Sequence, residues 1–139
     1  MRITNGELLA AVPALRELIQ HPIPIRACHR LARLAREVET LVADVEALRV
    51  KLVERYTARD EAGLPLPVFA DGEERPGEVR LTDPAGFRAA IEELLGLDTE
   101  ISAPALEVEE LGEDTRLSAA TFLALGPLLA SRDDAEVTR

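Results

Sequence analysis

The side chains able to hold a soft metal are His21, Cys28 and His29. Zinc needs several such ligands converging tetrahedrally, so a third or fourth donor here would have to be a carboxylate. Cys28 and His29 are adjacent, and on a helix neighbours point about 100° apart, which keeps them off a shared ion. The sequence therefore reads as a packed cysteine and surface histidines, with no metal and no cofactor.

Carboxylates are plentiful, in the clusters Asp71/Glu73/Glu74, Glu107/Glu109/Glu110/Glu113/Asp114 and Asp133/Asp134. A calcium loop needs acids at alternating positions, a glycine at the sixth and a glutamate at the twelfth, and none of these segments fits. They read as solvated acidic faces. Paired carboxylates of the glycosidase kind depend on tertiary separation, and the polar groups that line such pockets are scarce: one Asn, one Gln, one Tyr and no Trp. Ser102, Ser118 and Ser131 lack the setting of an activated nucleophile, and no glycine-rich phosphate loop follows a strand. The expectation is a protein that is not an enzyme.

The elements that would position any site come next. At 139 residues the chain has room for one domain, and 47% hydrophobic content is ample for a core. That core must be aliphatic, because rings come only from Tyr56, Phe69, Phe87 and Phe122. The single Cys28 rules out an internal disulfide. No signal peptide is expected, since Arg2 is followed by polar Thr4-Asn5-Gly6. No stretch approaches the roughly 18 apolar residues of a membrane span.

The formal charge of -10 argues against direct nucleic-acid binding, since phosphates would be repelled over most of the surface. It is unevenly placed. Residues 1–58 carry nine basic and seven acidic side chains, whereas residues 59–139 carry seven and nineteen. Fifteen of the sixteen basic residues are Arg, Lys51 is the sole lysine, and Asn5 and Gln20 are the only amides. This bias fits a GC-rich genome, and few amides fit a thermophile source.

The pattern predicts a mostly helical α+β domain over 1–130, followed by a polar tail over 131–139. A first helix starts with Asn5 as its cap and Glu7 in its first turn. Its apolar face is Leu8, Val12, Leu15 and Ile19. Pro13 should kink it or push the regular helix downstream, and His21-Pro22-Ile23-Pro24 ends it.

The clearest signal follows. Leu31, Leu34, Val38, Leu41, Val45, Leu48 and Leu52 alternate in steps of three and four, with no Gly or Pro from Ile25 to Ala62. This is a coiled-coil-like heptad seam on a long helix over about 26–58, longer than a compact domain of this size normally needs. Ala35, Val42 and Val53 widen the stripe. A β-hairpin is expected from strands near Leu66–Phe69 and Glu78–Leu81, joined by a long acidic tip over 71–77. Asp83-Pro84 then opens a helix that stops at Gly96. One or two further strands are expected over Thr99–Ala103 and Leu106–Val108. The last helix has Ser118 as its cap, with Leu117 and Phe122 at the two staple positions, and Pro127 ends or bends it.

The seam admits two covers. The first helix can fold back against it, but shields only about half its length. The remainder, Val45 to Tyr56, needs the hairpin, the last helix or another subunit. Cover within the chain and self-association, giving a homo-oligomer, both satisfy the pattern.

Several segments also resemble a family of small uncharacterised proteins encoded by tailed bacteriophages and prophages. The resemblance is carried by Ile3-Thr4-Asn5-Gly6-Glu7, by Pro24-Ile25 ahead of Leu31-Ala32-Arg33-Leu34, and by Arg49, Leu52, Tyr56 and Arg59-Asp60-Glu61-Ala62-Gly63. The acidic, Leu-rich tail is similar too, from Glu92-Glu93-Leu94-Leu95 through Ile101, Leu106 and Glu110-Leu111 to Leu117-Ser118. The chain departs from the pattern at Thr57, where Gly is usual, and in replacing nearly all Lys by Arg. What the resemblance implies is a virus-related source and a role in the particle or its assembly; it implies no reaction and no catalytic residue.

Two functions follow as expectations. One is a phage structural or virion-assembly protein of the tail or head-tail region, working by contacts with other protein subunits, in the virion or the host cytoplasm. The other is a soluble acidic regulator that blunts a host nucleic-acid-handling enzyme by occupying its basic groove.

Overall fold

The first secondary structure is set by a two-way hydrogen bond around Thr4. Its Oγ1 accepts from the Glu7 N–H at 3.2 Å, and its own N–H donates to Glu7 Oε2 at 3.4 Å, so a capping box opens helix α1, Asn5–Ile19. The cap is therefore Thr4 rather than Asn5. Asn5 is buried instead, and its Oδ1 accepts from Thr99 Oγ1 at 2.6 Å. The computed structural model describes residues 1–112 and 115–130, so the expected polar tail over 131–139 lies outside the described residues.

These residues fall into two compact units. The first comprises 1–44 and the described residues from 95 onward. Strand β1, Arg2–Thr4, pairs antiparallel with β4, Asp98–Glu100, with Ile3 opposite Thr99. The Asn5 N–H donates to Leu97 O and the Ile101 N–H to Met1 O, at 2.9 and 2.8 Å, which lengthens the ladder at both ends. The buried face of α1 is Leu8, Ala11, Ala14, Leu15 and Leu18, displaced by about a residue from the expected stripe, and Ile19 is 52% exposed. Both sets fit one continuous helix, and packing turns the Ala11 and Leu18 side to the core; the helix runs unbroken through Pro13. Pro13 stands on the exposed side, where its ring and missing N–H disturb only one helical hydrogen bond.

Helix α2 spans Ile25–Tyr56. Within the first unit its residues Ala27, Leu31, Leu34 and Val38 are buried, and Leu15 of α1 and Val38 border a crevice of only about 30 Å³. Leu106 forms a parallel bridge with Leu129, donating to Leu128 O and accepting from Ala130. Instead of a strand, Val108–Leu111 form one turn of 3₁₀ helix. Helix α4, Ala119–Leu125, starts at Ser118 as expected, the Ser118 Oγ accepting from the Thr121 N–H at 3.1 Å. Leu117 is half-buried and Phe122 exposed. A 3₁₀ turn at Gly126–Leu128, holding Pro127, ends this segment. The core of this unit is aliphatic: Ile3, Leu8, Leu18, Leu34, Ile101, Leu106, Leu125 and Leu128 are almost fully removed from water.

The second unit is Val45–Leu94. The last turns of α2 lead into residues 57–59, which run between two neighbouring segments. Thr57 bridges Leu81 and Arg59 bridges Pro65. The Ala58 N–H donates to Arg80 O, the Thr82 N–H to Tyr56 O and the Leu66 N–H to Ala58 O, each at 2.8 Å. This pairing ends α2 two residues before position 58, because the backbone groups of Ala58 are taken by residues 66 and 80. The hairpin is present but tighter than expected: β2 is Phe69–Ala70 and β3 is Glu73–Glu74. Asp71 and Gly72 have φ of 53° and 79°, the double positive φ of a type I′ turn that suits strand twist. Residues 71–77 are thus largely the hairpin itself, and Glu78–Leu81 contributes a bridge rather than the second strand. Helix α3, Pro84–Gly96, starts as expected, with Asp83 Oδ1 accepting from the Gly86 N–H at 3.0 Å. The Tyr56 and Phe87 rings meet edge to face at 5.8 Å.

Candidate interaction surface

The residues with chemical potential are mostly committed to structure. Cys28 is half-buried, and its Sγ donates to Ile23 O at 3.4 Å, closing the turn ahead of α2. His29 is exposed and lines an open groove of about 800 Å³ beside Arg26, Arg30 and Glu110. Arg30 is drawn to Glu110 in an ion pair at 2.5 Å. Among the described residues, no three of His, Cys, Asp and Glu are grouped to hold a metal. Ser102 gives its N–H to Glu37, and Ser118 caps α4. Ser131, Glu113, Asp114, Asp133 and Asp134 lie outside the described residues.

One carboxylate has a clear structural post. Glu37 accepts from the backbone N–H groups of Ser102 and Ala103 at 2.5 and 2.9 Å. The Ser102 bond, assisted by that of Ala103, holds its carboxyl below the usual carboxylate range against the opposing effect of partial burial. Asp71, Glu73 and Glu74 are exposed on the hairpin, as the sequence led one to expect of a solvated acidic face.

The seam residues divide by position. Leu31, Leu34, Val38 and Val45 are buried, Leu41 and Leu52 are half-buried, and Leu48 is 46% exposed. Leu48 is accompanied in the second unit by exposed Val50, Leu64, Phe69 and Val79, with Leu64 and Phe69 more than 60% open to solvent. In the same unit the buried residues are Val45, Thr57, Ala58 and Leu94. Single exposed apolar residues are ordinary; here five large ones in fifty residues, beside so small a buried set, leave much apolar side chain of this unit in water.

The flank of α2 around Leu48 carries charge as well. Asp44, Lys51 and Arg55 are exposed beside it, while Arg49 reaches Glu46 at 2.7 Å. A second apolar groove, of about 750 Å³, lies in the first unit between Val108, Leu111, Thr115, Leu117, Phe122 and Leu123. Sequence periodicity brings out the seam as a line. It gives no sign of the exposed Leu64, Phe69 and Val79, which have no shared spacing.

Comparison with protein-family models, curated proteins and solved structures finds no match. No helix among the described residues is long and apolar enough to cross a membrane.

Proposed function

We propose that the protein works by protein–protein contact rather than by catalysis, as a structural or assembly component of a phage particle in its tail or head-tail region. The observation that carries the contact reading is the exposed apolar set of the second unit, with Leu48 on the long helix α2 at its head. Helix α2, 32 residues long and about 48 Å at 1.5 Å per residue, contributes to both units and keeps Leu48, Val50, Lys51 and Arg55 exposed. The phage assignment is supported by the resemblance of the capped first helix, the Pro24-Ile25 turn and the Arg59–Gly63 segment to small phage proteins.

The test is Leu48→Asp. An exposed position tolerates the change in the folded monomer, whereas an apolar contact does not accept a charge. At low protein concentration the variant should keep wild-type circular dichroism and melting, and it should fail to enter particles or bind virion proteins recovered with the tagged wild type from infected cells. Wild-type incorporation of the folded variant would end this reading. Recovery instead of a basic nucleic-acid-handling enzyme, in a complex that dissolves with salt, would favour the acidic regulator.

A further inference from the structure

We infer that the partner of the Leu48 flank is a second copy of this chain, paired antiparallel along α2 with Leu48 at the twofold axis. The inference rests on the reading of this flank as a protein contact, and deepens it by naming the occupant. Helix α2 has no Gly or Pro within it, so regular geometry fixes how its residues are arranged. Asp44, Leu48, Lys51 and Arg55 recur in steps of four, three and four, which places them in one strip about 60° wide. Asp44, Lys51 and Arg55 are exposed, Leu48 nearly half so, and the half-buried Leu41 and Leu52 border the strip on its core side. The exposed Ala47 on the other border is small enough to let a second helix approach.

Charge selects both the occupant and its direction. Asp44 lies four residues before Leu48 and Lys51 three after it. In a parallel, in-register pair, Asp44 would face its own copy and Lys51 its own copy, repelling at both ends. An antiparallel pair centred on Leu48 brings each Asp44 to within one residue's rise of the partner's Lys51, with Arg55 one turn beyond. Both ends then attract. The strip is complementary to itself in one direction, which is what a twofold interface requires. Asp44 and Lys51 are also uncommitted, as neither has an ion pair among the described residues. Glu46 and Arg49 satisfy each other on the same helix and leave the strip to these charges.

Lys51 is the only lysine, which makes the test specific. Within one chain, Asp44 and Lys51 are about 10 Å apart along the helix, too far for a zero-length carbodiimide link. A Lys51–Asp44 isopeptide is therefore intermolecular by geometry. The full chain is treated with carbodiimide, the linked peptides are identified by mass spectrometry, and association is followed by sedimentation over a concentration series. The expected result is a reversible dimer carrying the Lys51–Asp44 link. Asp44→Lys and Lys51→Asp should each weaken it about tenfold, since each turns two attractions into two repulsions. An equimolar mixture of the two variants should restore it, and Leu48→Asp should remove it. Lys51→Arg should lose the link and keep the dimer.

A chain monomeric up to about 0.5 mM, or a dimer indifferent to both charge reversals, overturns the inference. The two readings part at Leu48→Asp. A monomeric wild type whose Leu48→Asp variant loses binding to a different protein keeps the contact function and refutes self-pairing. A variant that loses nothing refutes both.

Discussion

The Glu37 carboxylate on α2 accepts a hydrogen bond from the backbone N–H of Ala103 at 2.9 Å, across 66 residues of sequence. With the Ser102 N–H on its other oxygen, it satisfies two donors of a segment that has left β4 and is not yet in another element. A short polar bracket thus ties the long helix to the end of the small sheet.

Glu37→Ala should destabilise the protein by on the order of 1 kcal/mol at neutral pH, since two N–H donors lose their acceptor but partial exposure lets water substitute. The pH dependence has a fixed sign. The Glu37 carboxyl is held below its ordinary range in the fold, so its contribution is present above the unfolded carboxylate value. It is lost as pH falls through the lower folded value. Urea unfolding of wild type and Glu37→Gln should differ at pH 7 and converge in acid. A gap that stays constant to pH 2 would show that the bracket does not titrate as described.

Pro13 gives a prediction of the opposite direction. It occupies an interior position of α1 with its ring on the exposed side, where it removes one helical hydrogen bond without breaking the element. Pro13→Ala should raise stability by about 1–3 kcal/mol, the gain from helix propensity less the added freedom of the unfolded chain. Thermal melting decides it, and a lowered midpoint would mean that the helix needs the proline's fixed φ.

Much of the architecture was legible because local chemistry and tertiary demand agree. The Pro24 boundary, the unbroken run to Tyr56, the Asp83-Pro84 start, the Gly96 stop and the Ser118 cap all follow from residues acting on their own backbone. Local signals were overridden where residues elsewhere in the fold decided the outcome. Asn5 is a good cap by type, yet the hydroxyl of Thr99 claims its Oδ1 and Thr4 takes the cap. Leu8 and Leu15 are buried, but Ala11 and Leu18 replace Val12 and Ile19, because the packing of α1 sets its angle. The hairpin closed at Asp71-Gly72 since a type I′ turn outweighs the modest strand preference of Glu78–Leu81. The seam could be read as a periodic line; which of its residues stay exposed is a property of the tertiary fold.

The turn at Asp71-Gly72 can be probed directly. Both residues have positive φ, which a residue with a Cβ resists, Asn and Asp least among them. Gly72→Ala should cost about 1 kcal/mol of local stability and speed amide exchange at Arg75, whose N–H donates to Val68 O. Asp71→Gly should leave that exchange unchanged or slower. Equal effects of the two substitutions would argue against the type I′ geometry.

Leu8 and Leu48 are the same residue type, each on an apolar stripe of a helix, and truncation should cost far more at Leu8 than at Leu48. Leu8 is fully buried in the first unit, so Leu8→Ala removes apolar contacts and leaves a cavity. The expected loss is about 2–5 kcal/mol, a large fraction of the stability of a domain this size. Leu48 keeps nearly half its surface in water, and Leu48→Ala should change monomer stability by less than about 0.5 kcal/mol. Denaturant unfolding at low protein concentration isolates the monomer term. Repeating it at high concentration adds whatever Leu48 contributes to a contact between copies, because association stabilises only the folded state. The wild type should then gain stability with concentration and Leu48→Ala should gain less, while the Leu8→Ala deficit stays the same. If Leu48→Ala costs as much as Leu8→Ala at low concentration, Leu48 belongs to the core and the exposed flank of α2 is not a surface at all.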